Sequence, residues 1–356
     1  MTELTRSLAG LRSADEPWFG GKSTSLGELI ANAINVPPGF AASTHAFDLF
    51  LKSEGLGERV ATRMACVDPG DVAAVNRAAQ EIALEMRRTP LPGALRAEVE
   101  TQHRVLAEAT GKRQPPMAVR SSARGEDSAD ATFAGQQETY LWVRGVDGIC
   151  EAIRGCWISL YSPPAISYRA RMAAEGEVPA MGVAVQLMVD AETSGVMFTC
   201  SPITGDPSVV AVNASWGLGL GVVGGEVTPD DFVLSKVTGE VLRRTINNKA
   251  VEYVPDPGGR GTHRVAVPEE RRQAPSLNEA RLAALVDVGK RVERHFGTRQ
   301  DIEWAIARTG TFPDNLYILQ SRPVTVTGKG TSQAVAERKD AMSLVLGTFG
   351  VKPKGD

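Results

Sequence analysis

The segment from Met117 to Tyr140 brings together side chains that could hold phosphate. Its two arginines, Arg120 and Arg124, carry planar guanidinium donors that match phosphate oxygens. A turn of small residues follows, and such a turn lets backbone N–H groups approach an anion closely. A polar surface loop with an internal ion pair explains the same composition, so the segment alone leaves both interpretations open. The turn consists of Thr132, Phe133, Ala134, Gly135 and Gln136.

A second candidate anion site lies near the start of the chain. Lys22 follows Gly20 and Gly21 and leads into a predicted helix. The free N–H groups and the dipole of a helix N-terminus both favour a negative charge. The phosphate-loop spacing GxxxxGK[ST] is absent, however, and an ordinary helix capped by Ser23 or Ser25 explains the same residues.

The run from Met181 to Val189 is apolar except for Gln186, which is typical of a buried strand. A glutamine in such a strand needs hydrogen-bond partners. The edge of an adenine ring beside an apolar wall would supply them, and so would neighbouring backbone groups.

Two segments near the end of the chain, DIEWAI and LYILQSRPVTV, alternate as the strands of a hairpin. Alternation puts Asp301 and Glu303 on one face of the first strand. A carboxylate, an amide oxygen and an arginine can therefore converge, and such oxygens suit Mg²⁺ bound to nucleotide phosphates. A surface Glu–Arg pair across the hairpin is the alternative. Alternation in the second strand predicts one shared face for Leu316, Ile318, Gln320 and Arg322.

The elements that must position these residues follow from periodicity and turn residues. Residues 255–275 are rich in Gly and Pro and are predicted to form a loop. Helices are predicted over 71–88, 91–110, 147–161, 164–172 and 277–296, with Ser43 or Thr44 capping a further one. Strands are predicted over 139–143, 194–202, 208–214, 232–236, 241–246 and 250–254.

Composition excludes several classes of protein. An apolar content of 42% and a charged content of 23% over 356 residues are those of a globular chain with two or three domains. The net charge of −3 argues against a nucleic-acid partner. No segment has the apolar length of a signal peptide or a membrane span, so we expect a cytoplasmic protein. The four cysteines lack CxxC spacing, which argues against zinc.

Several motifs in order make the chain resemble a known family. They are GGKSTSLGEL with VPPGF, AVRSSARGEDS with TFAGQQET, VAVQLMV with SGVMFT and SPITG, WGLG with GGEVTPD, and DIEWA with LQSRPVT. Over residues 8 to 327 the chain resembles the N-terminal nucleotide-binding domain of the phosphoenolpyruvate synthase and pyruvate phosphate dikinase family. That family includes rifampin phosphotransferase and the ATP-binding subunit of phenylphosphate synthase.

The resemblance implies an α+β fold of the ATP-grasp type, with two lobes closing on ATP and Mg²⁺. Residues 1–185 would form an N-terminal lobe with a helical scaffold and the phosphate loop, 186–327 a C-terminal lobe with the metal site, and 328–356 a short C-terminal tail. Leu220 replaces an acid that the family usually has, which puts a charged role for that loop in doubt. The resemblance implies that Lys22, Arg120 and Arg322 are catalytic phosphate contacts and that Thr132, Gly135 and Gln136 form a loop over the phosphates. It implies an adenine site at Gln186 with the backbone at Met188. The implied metal ligands are Glu303 and Gln320.

The family passes a phosphoryl group from ATP to a histidine in a Gly-rich Thr-Ser-His motif, and none of the four histidines here lies in one. The resemblance therefore implies a partner subunit that carries this histidine and the acceptor site. ATP would be cleaved to AMP and phosphate, and the β-phosphoryl group would reach phenol as the favoured final acceptor. Two alternatives stay open, namely a separately encoded component of a pyruvate-directed synthase and a non-catalytic module that senses adenylate.

Overall fold

A computed structural model describes residues 3–123, 138–172, 180–259 and 261–324. The predicted phosphate loop with Thr132, Gly135 and Gln136, and the predicted tail 328–356, lie outside these residues. The chain divides into two compact units. Unit 1 comprises Met1–Glu28, Pro38–Met188 and Gly259–Gly261, and unit 2 comprises Leu29–Pro37, Val189–Gly258 and Thr262–Asp356. Unit 1 extends to Met188, whereas the sequence predicts a lobe boundary at residue 185.

Unit 1 is built on a five-stranded sheet in the order β1-β2-β5-β3-β4, in which every neighbouring pair is antiparallel. The predicted strand at 139–143 is confirmed. The strands are β1 Thr5–Ser7, β2 Gly39–Ala42, β3 Met117–Ala123, β4 Thr139–Val143 and β5 Met181–Leu187. The helices are α1 Glu16–Phe19, α2 Gly21–Ala31, α3 Thr44–Lys52, α4 Leu56–Ala65, α5 Val72–Arg88, α6 Gly93–Thr110, α7 Gly145–Ser159 and α8 Pro163–Met172.

Helix caps in unit 1 agree with the sequence in one place and differ in another. The hydroxyl of Ser43 accepts a hydrogen bond from the Ala46 N–H at 3.3 Å, which confirms the predicted cap of α3. The predicted cap of α2 by Ser23 or Ser25 is wrong, because this helix already begins at Gly21 and both serines lie inside it. In the core, the rings of Phe50 and Trp157 stack with centroids 5.4 Å apart.

Unit 2 is built on a six-stranded antiparallel sheet in the order β13-β12-β6-β7-β8-β9, with a separate hairpin of β10 and β11. The predicted loop 255–275 is wrong in part, because it contains strand β11 and a short helix. The strands are β6 Ala191–Phe198, β7 Val209–Trp216, β8 Asp230–Ser235, β9 Val241–Thr245, β10 Val251–Pro255, β11 Thr262–Ala266, β12 Gln300–Ala307 and β13 Leu316–Pro323. The helices are α9 Leu220–Val223, α10 Glu269–Arg272 and α11 Glu279–Phe296.

Helix α11 covers one face of the large sheet and buries Leu285 and Val292. The side chain of Asn278 accepts from the Arg281 N–H at 2.9 Å and begins the helix, and Gly297 ends it in a left-handed conformation. Among the residues that the structure describes, no helix has both the length and the apolar character needed to cross a membrane.

A fully buried ion pair fixes the middle of unit 2. The Lys249 ammonium lies 2.6 Å from one carboxylate oxygen of Asp230, and neither side chain is exposed. The other oxygen accepts from the N–H and the hydroxyl of Ser276, at 2.8 and 2.7 Å. The Asn247 N–H also donates to Asp230, at 3.0 Å. Strand β8 is thereby joined to the segments that precede β10 and α11.

We expect Lys249→Met to lower the free energy of unfolding by about 3–5 kcal/mol, because it leaves the Asp230 carboxylate buried without its cation. Urea unfolding followed by circular dichroism measures this loss. The control is Arg243→Met, which removes an exposed cation 2.8 Å from Asp231 and should cost less than about 1 kcal/mol. Equal losses in the two variants would contradict the assigned role of the buried pair.

Candidate functional site

A close backbone contact in unit 1 determines where Lys22 lies. Gly20 has a φ of +76°, and a Cβ atom on it would lie 1.9 Å from the carbonyl oxygen of Ser122. Only glycine therefore lets the chain turn against β3 at this point. Two hydrogen bonds extend the contact: the Ser23 N–H donates to the Ser122 hydroxyl at 3.2 Å, and the Lys22 ammonium donates to the Ser121 carbonyl at 3.1 Å.

This contact brings two predicted phosphate-binding side chains to the same strand. Lys22 is 6% exposed, and its ammonium donates to the backbone carbonyl of Ser121, the residue that follows Arg120 in β3. Arg120 is half-buried and stands opposite Ala184 of β5. A buried ammonium in the first turn of an eleven-residue helix and an arginine in the adjoining strand form an environment suited to an anion.

Gln186 lies on the same sheet face as Arg120, because it follows Ala184 by two residues in β5. It is 2% exposed and stands between Gly39 of β2 and Ala118 of β3. The prediction of a buried strand interrupted by this glutamine is confirmed. The N–H of Met188 donates to the Pro116 carbonyl at 2.9 Å, so an adenine contact at Met188 would use its carbonyl oxygen.

In unit 2, a β-bulge sets the faces of the last hairpin. Glu303 stands directly opposite Gln320, but the next residue of β12, Trp304, stands opposite Ile318. Leu319 is therefore an extra residue in β13. Directly opposed residues share a face, so Gln320 lies with Glu303 and Ile318 lies with Trp304 on the other side. The prediction that Leu316, Ile318, Gln320 and Arg322 share one face is wrong, because strict alternation does not continue through a bulge.

The bulge nevertheless produces the predicted convergence of polar groups. Arg322 stands opposite Asp301, and its Nε donates to an Asp301 carboxylate oxygen at 2.9 Å. Asp301 is 3% exposed and lies two residues from Glu303 on the same face. Asp301 was not among the predicted site residues. The sequence did indicate that Asp301 shares a face with Glu303, because the two are separated by one residue in a strand. Its pairing with Arg322 depends on the register between β12 and β13.

The donor set of this hairpin fits a divalent metal bound to a nucleotide. Glu303 is half-buried and Gln320 is 6% exposed, and they offer one carboxylate and one amide oxygen from directly opposed positions. Mg²⁺ is commonly held by one or two protein oxygens together with water and substrate phosphates.

The glycine-rich loop after β7 is held by backbone and side-chain hydrogen bonds. The Leu218 N–H donates to the Tyr253 carbonyl at 2.9 Å. The Tyr253 hydroxyl donates to the Glu226 carboxylate, and this contact raises the pKa of the phenol. Leu220 begins helix α9 and is half-buried. At this position the loop thus carries an apolar side chain.

The four histidines lie in ordinary structural settings. His45 is in the first turn of α3, and its ring nitrogen lies 4.0 Å from Asp48. His103 is buried in α6, where desolvation lowers its pKa. His263 lies in β11 and His295 near the C-terminus of α11.

Unit 1 thus presents basic side chains on the strand next to a buried glutamine, and unit 2 presents a directly opposed carboxylate and amide. The chain belongs to the family of pyruvate phosphate dikinase and phosphoenolpyruvate synthase. The family model described as pyruvate phosphate dikinase, AMP/ATP-binding domain, matches residues 16–343. This chain is therefore an ATP-binding domain of that family.

Named relatives agree with this assignment. A probable phosphoenolpyruvate synthase of Staphylothermus marinus is 36% identical over 342 residues, which cover 90% of this chain and 41% of the relative. A probable phosphoenolpyruvate synthase of Methanothermobacter thermautotrophicus is 36% identical and covers 92% of this chain and 47% of the relative. The phosphoenolpyruvate synthase of Neisseria meningitidis is 39% identical and covers 89% and 41%. This chain thus spans less than half the length of these relatives.

We expect Gly20→Ala to weaken ATP binding by about tenfold or more, because a methyl group cannot fit against the Ser122 carbonyl and the turn that carries Lys22 must move. Titration calorimetry with ATP and Mg²⁺ measures the affinity. Gly111→Ala is the matched control, since Gly111 also has a positive φ, +64°, but no atom within 4 Å of its added Cβ. The control should lose about 1 kcal/mol of stability and keep its affinity for ATP. An unchanged affinity in Gly20→Ala would contradict the assigned role of the turn.

Proposed function

We propose that this chain is the ATP-binding component of a dikinase with an ATP-grasp fold. In the overall reaction, ATP, water and a histidine side chain give AMP, phosphate and a phosphohistidine. The α–β and β–γ phosphoanhydride bonds break, the β-phosphoryl group goes to a histidine nitrogen, and water supplies the fourth oxygen of the released phosphate. Family membership supports the ATP-binding half of this proposal. The names of the relatives support phosphoryl transfer.

The observation that carries the proposal is the direct opposition of Glu303 and Gln320 beside the Arg322–Asp301 pair. Glu303 and Gln320 would hold Mg²⁺, which when bound supplies positive charge to the phosphate oxygens. Arg322 would donate to a phosphate oxygen from the same face. A module that only binds adenylate does not need a carboxylate, an amide and an arginine on one sheet face, so this arrangement favours catalysis.

In unit 1, Lys22 and Arg120 would bind phosphate oxygens and stabilise the negative charge of the transferring group. Such transfers depend mainly on positioning and electrostatics. Gln186 and the Met188 carbonyl would bind the adenine edge. Thr132, Gly135 and Gln136, which lie outside the described residues, would contact the phosphates.

The phosphoryl acceptor would be a histidine outside these 356 residues, on a partner subunit. The setting of each histidine in this chain supports this: two are in helices of the scaffold, one is in the β10–β11 hairpin and one is at a helix end. The partner would also bind the final acceptor. The relatives' names favour pyruvate as that acceptor, whereas the resemblance of the sequence to the ATP-binding subunit of phenylphosphate synthase implies phenol.

The proposal is tested with ATP labelled at the β-phosphate, incubated with Mg²⁺, this chain and a soluble extract of its source cells. We expect AMP as a product and acid-labile, base-stable label on a second polypeptide. That polypeptide can then be supplied with pyruvate or phenol, and loss of its label identifies the acceptor. Label on this chain itself would contradict the assignment of the acceptor to a partner. Binding of ATP without AMP or label would favour an adenylate-sensing module.

We expect Glu303→Ala to reduce phosphoryl transfer at least about 100-fold, because a group that positions and neutralises the transferring phosphates is lost. The measurement is the rate of AMP formation in the presence of the partner polypeptide before it has been phosphorylated. Glu240→Ala, in the turn between β8 and β9, is the control and should keep the rate of the unaltered chain. A partner that still responds to ATP in the presence of Glu303→Ala would identify a sensor instead of a catalyst.

A further inference from the structure

The outer edge of β13 is covered by a short extended segment of unit 2. The carbonyl of Asn35 accepts a hydrogen bond from the Ile318 N–H at 2.8 Å. The side-chain amide of Asn35 donates to two further carbonyls, those of Asp314 at 2.8 Å and Leu316 at 2.9 Å. One residue thus bonds to three alternate backbone positions, one just before β13 and two within it.

The last of these hydrogen bonds is made by the residue immediately before the bulge. Ile318 is the last residue that Asn35 contacts, and Leu319 is the extra residue of the bulge. Leu316 and Ile318, before the bulge, lie on the face of Trp304, whereas Gln320 and Arg322, after it, lie on the face of Glu303. Asn35 therefore fixes the strand on the side of the bulge opposite to the polar residues.

The position of the bulge decides which face receives the polar groups. If β13 kept the Ile318–Trp304 pairing and continued without a bulge, Gln320 would stand opposite Ile302 and its side chain would enter the buried face. If it kept the Gln320–Glu303 pairing, Ile318 would stand opposite Ala305 and leave the face that it now shares with Trp304. A one-residue shift in either half of β13 thus puts Ile318 and Gln320 on the same face, and one of them loses its present neighbours.

The segment that contains Asn35 is itself attached to the scaffold. The guanidinium of Arg291, in α11, donates to the carbonyls of Asn32 at 3.3 Å and Ala33 at 2.9 Å. Ile34 and Val36, on either side of Asn35, are 5% and 8% exposed. Asn35 therefore holds β13 from a fixed support, although its own side chain is exposed.

We propose that Asn35 is a positioning residue for the nucleotide–metal site, acting through the register of β13. It does not touch the ligand. Its three hydrogen bonds hold residues 314–318 so that the bulge stays at Leu319 and Gln320 and Arg322 remain opposite Glu303 and Asp301. The inference rests on the proposed function for the identity of the ligand, and on unit 2 alone for the geometry.

The test compares Asn35→Ala and Asn35→Asp with Asn32→Ala in the full chain. Asn35→Asp keeps the size of the side chain but removes both amide donations, whereas Asn32→Ala changes an exposed asparagine of the same segment. Two quantities are measured for each variant, namely hydrogen exchange of the β13 amides, and affinity for ATP with and without Mg²⁺ by calorimetry.

We expect both Asn35 variants to exchange the amides of residues 318–320 about tenfold faster and to lose about tenfold in affinity for Mg²⁺–ATP, as removal of two neutral hydrogen bonds would give. Affinity for ATP without Mg²⁺ should fall less, because the residues that bind adenine and phosphate in unit 1 are unchanged and only the phosphate contact of Arg322 is disturbed. A role in general stability alone would instead change both affinities equally. Asn32→Ala should match the unaltered chain in both quantities.

Three results would overturn the inference. Unchanged exchange at 318–320 would mean that Asn35 does not hold the register. Faster exchange with an unchanged affinity for Mg²⁺–ATP would mean that the register does not govern the site, while the proposed function stands. Failure of the unaltered chain to bind Mg²⁺–ATP would refute the proposed function, and the inference with it.

Discussion

The extra residue in β13 is the constraint on which the metal half of the site depends. With strict alternation, Leu316, Ile318, Gln320 and Arg322 would all direct their side chains to the same face of the sheet. The bulge at Leu319 lets one strand supply Leu316 and Ile318 to the buried face and Gln320 and Arg322 to the opposite one. The six-stranded sheet thereby keeps an apolar layer against α11 while a single hairpin presents a carboxylate, an amide and a guanidinium together.

In unit 1 the positions of the site side chains depend on glycines, which have no side chain, and not on an extra residue in a strand. The missing side chain of Gly20 lets the turn lie on the backbone of β3, and the Lys22 ammonium then reaches the strand that carries Arg120. Gly39 has the same effect beside Gln186, since a Cβ there would lie 2.2 Å from the Val185 carbonyl. In both units the backbone determines where the charged groups lie, and their own hydrogen bonds only refine the position. Preorganisation of this kind lowers the cost of binding a triphosphate.

Much of this arrangement could be predicted from the sequence because its signals are local. The periodicity of α5 and α11, the serine cap of α3 and the alternation of β12 each depend on neighbouring residues, and the structure confirms them. The bulge could not be predicted, because it depends on how β13 pairs with β12 and leaves no mark in the alternation. The pairing of Asp301 with Arg322 escaped prediction because it joins residues 21 positions apart through a sheet register. The burial of Lys249 with Asp230 escaped prediction because tertiary packing brings together a strand residue and a loop residue 19 positions apart. Strand β11 was missed because glycines and prolines around it resemble a loop.

The most direct test of the bulge-based site is a crystal structure of the chain with Mg²⁺ and a non-hydrolysable ATP analogue. We predict an ion bound about 2.1 Å from one oxygen of Glu303 and one of Gln320, with Arg322 on a phosphate oxygen and the bulge still at Leu319. An ion bound away from these two residues, or a β13 without the bulge and with Gln320 turned to the face of Trp304, would contradict the assignment of the metal site to this hairpin.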